Sequence, residues 1–285
     1  MSKHTMKVIV DSTCDLPDDL AKKYDIDIVP VYVHHNDEIF ADRIDITPTE
    51  FYDVLRNADE LPKTSAPSPK DFLDKITANM KNSSSIFITT LSSKLSATFQ
   101  SASIVAKRIK DKKIYLVDSK FGSGVLAFVS LAAAKLSRKG VPDEEIVKRV
   151  EKIRDESILL GYVDNLENLK KSGRISHIKY LIGSLIKSKP LLELTDGILQ
   201  PIGQAKSKEK AINKVISSIL DRIKKNQTYD VMITHGDDRE TAETILQRLE
   251  GKFSIGEKII NYLTPALATH LGIGTIVVSL SPSPY

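Results

Sequence analysis

The residues best suited to chemistry are scattered along the chain: Thr64 and Ser65 in TSAPSP, the hydroxyls of LSSKLSAT, Ser172–Ile175 in SGRI, and His270 in ATHLGIG. Each sets a polar donor beside small or apolar residues at the end of an expected element. Ser92, Ser93, Ser96 and Thr98 follow an apolar run, Ile86, Phe87 and Ile88, that suits a buried strand, so they fall where a strand gives way to a helix. Backbone N–H groups in a helix's first turn lack intrahelical partners and carry the positive end of its dipole, and hydroxyls there can help hold a carboxylate or phosphate. A helix cap alone would use the same residue types. Donors of this kind are costly to bury unpartnered, so their joint presence suits a closed pocket with an anionic head.

Other chemistries fit less well. No G-x-S-x-G elbow frames the serines, and the thirteen glycines never fall into G-x-x-x-x-G-K-[ST] or G-x-G-x-x-G. His34 and His35 are adjacent in an expected strand and would point to opposite faces, which does not make a metal site. The single cysteine, Cys14, excludes an internal disulfide and paired thiolates, and reads as a small buried side chain. A net charge of +4 from 41 basic and 37 acidic residues is too mild for nucleic-acid binding, and tryptophan is absent. The lysines at 206, 208, 210 and 214 read as a solvated helix face. With no apolar run of about 18 residues and no long apolar region near the N-terminus, the expectation is a cytoplasmic protein without stable membrane insertion.

The elements that must position these residues alternate. Met6–Val10 reads as a strand, Leu16–Tyr24 as a helix begun by Pro17, DIVPVYV as one strand, and Asp42–Thr47 as a polar link. Thr47, Pro48 and Glu50 form a helix start with a capping box, predicting a helix over Pro48–Arg56. Pro62 and Pro67 bracket a short extended piece that puts Thr64 and Ser65 on a constrained loop, and Ser68 with Pro69 begins another helix. Helices over Gly122–Ser137 and Pro142–Arg154 follow the strand KKIYLVDS. This spacing predicts a mostly parallel sheet in a layered α/β domain.

Near residue 157 the pattern changes. Leu166–Lys171 reads as a helix, SGRISHIKY as a turn, and Asp196-Gly197 as the tip of a hairpin, which implies antiparallel pairing. An amphipathic helix with Ala211, Val215, Ile219 and Ile223 on one face precedes strand Tyr229–Thr234, helix Arg239–Glu250, strand Lys258–Leu263, a short helix ending near Gly272 and strand Thr275–Leu280. The length suits about two domains of roughly 150 residues. The boundary is placed near residue 160, giving an N-terminal α/β domain over 1–160 and a C-terminal α+β domain over 161–285, with residues near 62–80 as candidates to pack on the second.

Several motifs occur in a recognisable order: MKVIVDSTCDLP, EFY at Glu50–Tyr52, KTSAPSP, LSSKLSATFQSA, YLVDSKFGSG, LKKSGRIS, SKPLLEL followed by DG, and ATHLGIGTIVV. Across nearly the whole chain the sequence resembles the DegV family of bacterial fatty-acid-binding proteins. The resemblance implies a two-domain protein holding one long-chain fatty acid, such as palmitate, in a tunnel between the domains. It implies that Thr64, Ser96 and His270 hold the carboxylate, with Ser65, Ser93 and Arg174 as additional head-group or partner contacts. It also implies a separate fatty acid kinase as partner, to which the lipid is presented for acyl-phosphate formation, and no catalytic residues, metal or cofactor beyond the bound lipid. Contact with a membrane would be transient, and no nucleic-acid partner is implied.

Departures from the family pattern are Ala66 for glutamine, Ala97 for glycine and Ile273 for proline; the loss of glycine at 97 is expected to shift the backbone near the head group. A tail of about sixteen carbons, at ~0.8 kcal/mol per buried CH₂, gains on the order of 10 kcal/mol from a dry tunnel before association costs. The competing readings are a serine-dependent acyl hydrolase, with Ser96 or Ser93 as nucleophile and His270 as base, and a lipid-responsive regulatory protein.

Overall fold

The computed structural model describes residues 5–175 and 188–284. Strand β1 (Met6–Asp11) is buried at every position and runs into a short 3-10 turn, Ser12–Cys14, then helix α1 (Asp18–Tyr24). The helix starts later than expected: Leu16 is drawn into the core and Pro17 sits at the N-cap. DIVPVYV is not one strand. It divides at Pro30, which has no N–H for a ladder, into β2 (Ile26–Val29) beside β1 and β3 (Tyr32–His35) in another sheet. A tight turn at Asn36 and Asp37, both with positive φ, returns the chain as β4 (Glu38–Ala41), an element absent from the sequence reading.

Helix α2 (Pro48–Asn57) has the expected capping box at Thr47 and Glu50. The segment expected as a loop at Thr64 and Ser65 is strand β5 (Lys63–Ser65), paired antiparallel with β3 through Thr64 opposite Val33. A second capping box, Ser68 with Asp71, starts helix α3 (Pro69–Asn79). Strand β6 (Ser85–Thr90), helix α4 (Thr98–Arg108), strand β7 (Lys113–Asp118) and helices α5 (Ser123–Arg138) and α6 (Asp143–Asp155) follow.

The second part comprises β8 (Ile158–Tyr162), α7 (Glu167–Lys171), β9 (Lys189–Thr195), β10 (Ile198–Ala205), α8 (Lys208–Leu220), β11 (Thr228–His235), α9 (Arg239–Leu249), β12 (Ser254–Tyr262), α10 (Pro265–Leu271) and β13 (Ile276–Pro282). The Asp196-Gly197 tip closes the β9–β10 hairpin. Residues 176–180 of the expected SGRISHIKY turn lie outside the described residues.

These strands form a parallel four-stranded sheet of order β2-β1-β6-β7, an antiparallel three-stranded sheet β4-β3-β5, and a six-stranded sheet β10-β9-β8-β13-β11-β12. In the last, only the β11–β12 pair is parallel. Helix α5 lies between the two larger sheets, packing on β1 from one side and on β11 and β13 from the other. Its apolar residues run all round, as a helix covered on every face requires. Gly124 is the point of closest approach: a Cβ there would stand 2.7 Å from the Cβ atoms of Met232 and Ser279. Helices α8 and α9 cover the outer face of the six-stranded sheet with a second apolar cluster.

Candidate functional site

The C-terminal ends of parallel strands are where connecting loops can converge, and here the loops after β1 and β6 do so. Asp11, at the end of β1 and fully buried, accepts hydrogen bonds from Thr13 N (3.0 Å), Thr13 Oγ1 (2.5 Å) and Leu91 N (2.6 Å). One carboxylate thus ties the turn after β1 to the loop carrying Ser92–Ser96. That loop is also fastened to the other half of the molecule, since Ser92 Oγ donates to Gly197 O at the β9–β10 tip (2.8 Å).

A partly open cavity lies between these loops, the six-stranded sheet and α10. Leu159, Leu192, Leu194, Leu199 and Val277 give it an apolar wall. Gly161 keeps the β8 backbone flush there, because a Cβ would stand 1.9 Å from Ile276 O. Helix α10 lines it with Ala266, Leu267, His270 and Leu271, one face at i, i+1, i+4 and i+5. The start of α10 is fixed from α2: Tyr52 Oη donates to Leu263 O (3.1 Å) and His235 O (3.3 Å).

Thr64, Ser65, Ser96, Arg174 and His270 all line this cavity, so four distant stretches of sequence meet in it. Thr64 Oγ1 and His270 Nε2 are 2.8 Å apart. The other ring nitrogen, His270 Nδ1, is buried without a partner among the described residues. Burial pushes the imidazole down to about 3, and the Arg174 guanidinium adds to the effect, so His270 is neutral at pH 7. Arg174 Nη1 donates to Ser172 O (2.7 Å). Ser96 Oγ is 2.9 Å from Thr98 Oγ1 and accepts from Thr98 N at 3.3 Å. Ser65 Oγ is 2.7 Å from His34 Nε2 on the neighbouring strand.

Ser93 is placed elsewhere. It is exposed, outside the cavity lining, and donates through Oγ to Asp118 (2.5 Å). Ala97 sits at the N-cap of α4 with φ −75°, a conformation open to any residue, so the backbone there does not need the family's glycine. Ala66 lines the cavity, whereas Ile273 lines a separate groove beyond Leu271, between α2, α7 and the end of α10.

The sequence reading assigned no role to Asp11, Thr13, Asp15, Asp42 or Ser123, which form a buried polar layer under the cavity wall. Thr13 and Ser123 line the cavity. Ser12 Oγ donates to Asp42 (2.6 Å), and Ser123 Oγ donates to Asp15 (2.7 Å). Burial pushes Asp15 up to about 7 and Asp42 up to about 6, despite the donors on each. The signal was the D-S-T-C-D run directly after an all-apolar strand, where polar residues have nowhere to go but a buried network.

Among the described residues no group of three or more His, Cys, Asp or Glu is placed to hold a metal ion, and no helix is long and apolar enough to cross a membrane. The DegV family model, described as an uncharacterised protein family, matches residues 5–283. A fatty acid-binding protein of Thermotoga maritima is 30% identical over 277 residues, 95% of this chain and 96% of its own. The structure of a DegV family protein from Thermus thermophilus, described by its fatty acid binding, superposes with a TM-score of 0.92 at 28% identity, covering 98% of this chain and 99% of that one. DegV from Bacillus subtilis, described as a fatty acid binding protein, gives 0.88 at 25% identity, with 98% and 99% covered. The two-domain α/β architecture expected from the sequence is the one observed.

Proposed function

The chain belongs to the DegV family, and from that premise we propose that it binds one long-chain fatty acid in the cavity beside α10, with the carboxylate at Thr64, Ser96 and His270. The observation that carries this reading is the Thr64–His270 contact on the wall of a largely apolar cavity, with His270 Nδ1 left buried and unpartnered. An orphaned buried ring nitrogen costs about 1–3 kcal/mol, which a ligand oxygen would recover. With its proton on Nδ1, His270 donates to the carboxylate while Nε2 accepts from Thr64 Oγ1, so Thr64 acts at the head group by orienting the ring. The Ser96 hydroxyl donates to the carboxylate, Arg174 supplies the positive potential, and Ser65 stands at the mouth. The leucines of the β8–β10 wall and of α10 take the acyl chain, in a tunnel between domains divided near residue 160.

The protein presents the lipid carboxyl to a separate kinase for acyl-phosphate formation and performs no bond chemistry itself. A hydrolase would need a nucleophile joined to its base, whereas Ser96 Oγ is engaged with Thr98 and His270 Nε2 with Thr64. Native mass spectrometry of the purified protein is expected to show one co-purified fatty acid. After delipidation, Ser96→Ala and His270→Ala are each expected to weaken palmitate binding about tenfold or more with the fold retained. A wild-type protein that stays empty and takes up no labelled palmitate would overturn the proposal.

A further inference from the structure

Asp15 lies outside the cavity lining, yet it joins the elements that build it. The residue is fully buried in the left-handed region (φ 52°) directly after the 3-10 turn. Its carboxylate accepts from Ser123 Oγ at the start of α5 (2.7 Å) and from Thr264 N at the start of α10 (2.9 Å). Its main-chain oxygen accepts from Asn261 Nδ2 near the end of β12 (2.7 Å). One residue near the beginning of the chain therefore grips the β12–α10 junction twice, 246 and 249 residues away.

We infer that Asp15 is a positioning residue for the lipid head group, acting through α10 to set where His270 meets Thr64. The inference rests on the fatty-acid reading of the cavity. Thr264 to His270 is six residues, or about 9 Å along a helix, so Asp15 holds one end of a short rigid rod whose other end carries the imidazole. The far end is clamped independently, because Asn168 Nδ2 donates to Thr269 O (3.0 Å). Ser123 completes the link, since the same carboxylate orients its hydroxyl on the cavity wall while Ser123 Oγ lies 2.9 Å from Thr234 Oγ1. An aspartate suits this task because both of its oxygens accept. Asparagine has one accepting oxygen. With that oxygen on Thr264 N its NH₂ would donate to Ser123 Oγ, reversing that hydrogen bond and turning the Ser123 proton toward Thr234, and in the other orientation the NH₂ would oppose the Thr264 N–H.

The test compares wild type with Asp15→Asn at pH 8, reading the His270 imidazole ¹⁵N resonances of delipidated protein, the carboxyl ¹³C resonance of bound [1-¹³C]palmitate, and palmitate affinity. Asp15→Asn is expected to move both resonances and weaken palmitate about tenfold, ~1.4 kcal/mol. Unchanged resonances with affinity within twofold of wild type would overturn the assignment. Should Asp15→Asn fail to fold, Ser123→Ala, which removes one donor from the carboxylate, is expected to move the His270 resonances in the delipidated protein. Unmoved resonances in that variant would equally overturn the role. If the wild type binds no palmitate, the fatty-acid reading falls, and the His270 resonances of the delipidated variants still decide whether Asp15 positions α10.

Discussion

At the scale of single residues, the site depends on an imidazole that burial keeps neutral. His270 falls from its ordinary 6.5 to about 3, so below pH 6.5 the unfolded chain binds a proton that the folded one refuses. Its contribution to stability is complete above pH 6.5 and is lost as pH falls toward 3. Asp15 and Asp42 act in the opposite sense, since their raised values favour the folded state at low pH and fade as pH rises through about 7 and 6. The histidine effect is isolated by difference. Urea unfolding of delipidated wild type and His270→Gln should show wild type losing stability relative to the variant as pH drops from 6.5 toward 3; parallel profiles would refute the assignment. Bound palmitate should reduce that loss, because a carboxylate near the ring favours its protonated form.

At the scale of elements, helix α5 holds the two larger sheets together, and its fit is tightest at Gly124. A methyl group there meets Met232 and Ser279 on the opposing strands, both in rigid surroundings. Gly124→Ala is expected to destabilise by about 1–3 kcal/mol as overpacking, read as a lower denaturation midpoint with little change in slope. A neutral result would mean that the sheets can separate at no cost. The helix itself was legible in the sequence to within a residue or so, as were the Thr47–Glu50 capping box, the helix start at Ser68 and Pro69 and the Asp196-Gly197 hairpin, because caps and turns are local chemistry; that Asp71 closes a second box with Ser68 was not read. The misreadings were non-local. Thr64 and Ser65 became a strand only because Val33 offers a partner edge, and DIVPVYV divided because β2 and β3 serve different sheets. The pattern of hydroxyls, Arg174 and His270 at element ends suggested one closed pocket with an anionic head, and the family resemblance singled out Thr64, Ser96 and His270 within it. Asp15 escaped because its partners at Asn261 and Thr264 leave no trace in local spacing.

At the scale of the whole molecule, the cavity draws its walls from the six-stranded sheet, from β5 of the three-stranded sheet, from α10 and from the loops that leave the parallel sheet, tied across by Ser92 with Gly197 and by Asp15 with Thr264. A ligand that binds only this assembled state stabilises it by mass action. Palmitate at about 100 times its dissociation constant should add ~2.7 kcal/mol to unfolding, seen as a raised thermal midpoint, whereas an unchanged midpoint at saturation would contradict binding in this cavity. The sheet order has a further consequence during synthesis. β13 lies between β8 and β11, although β8 leaves the ribosome far earlier. At roughly 5–20 residues per second the delay is on the order of ten seconds, during which the face of α5 that packs on β13 lacks its cover, although β1 and α6 already lie against its other sides. Nascent chains stalled before Thr275 should therefore be cut by protease throughout β8–β12 and recruit chaperones, while chains released after β13 should be resistant. Equal resistance at both lengths would show that the central strand can be filled late without exposing the helix beneath it.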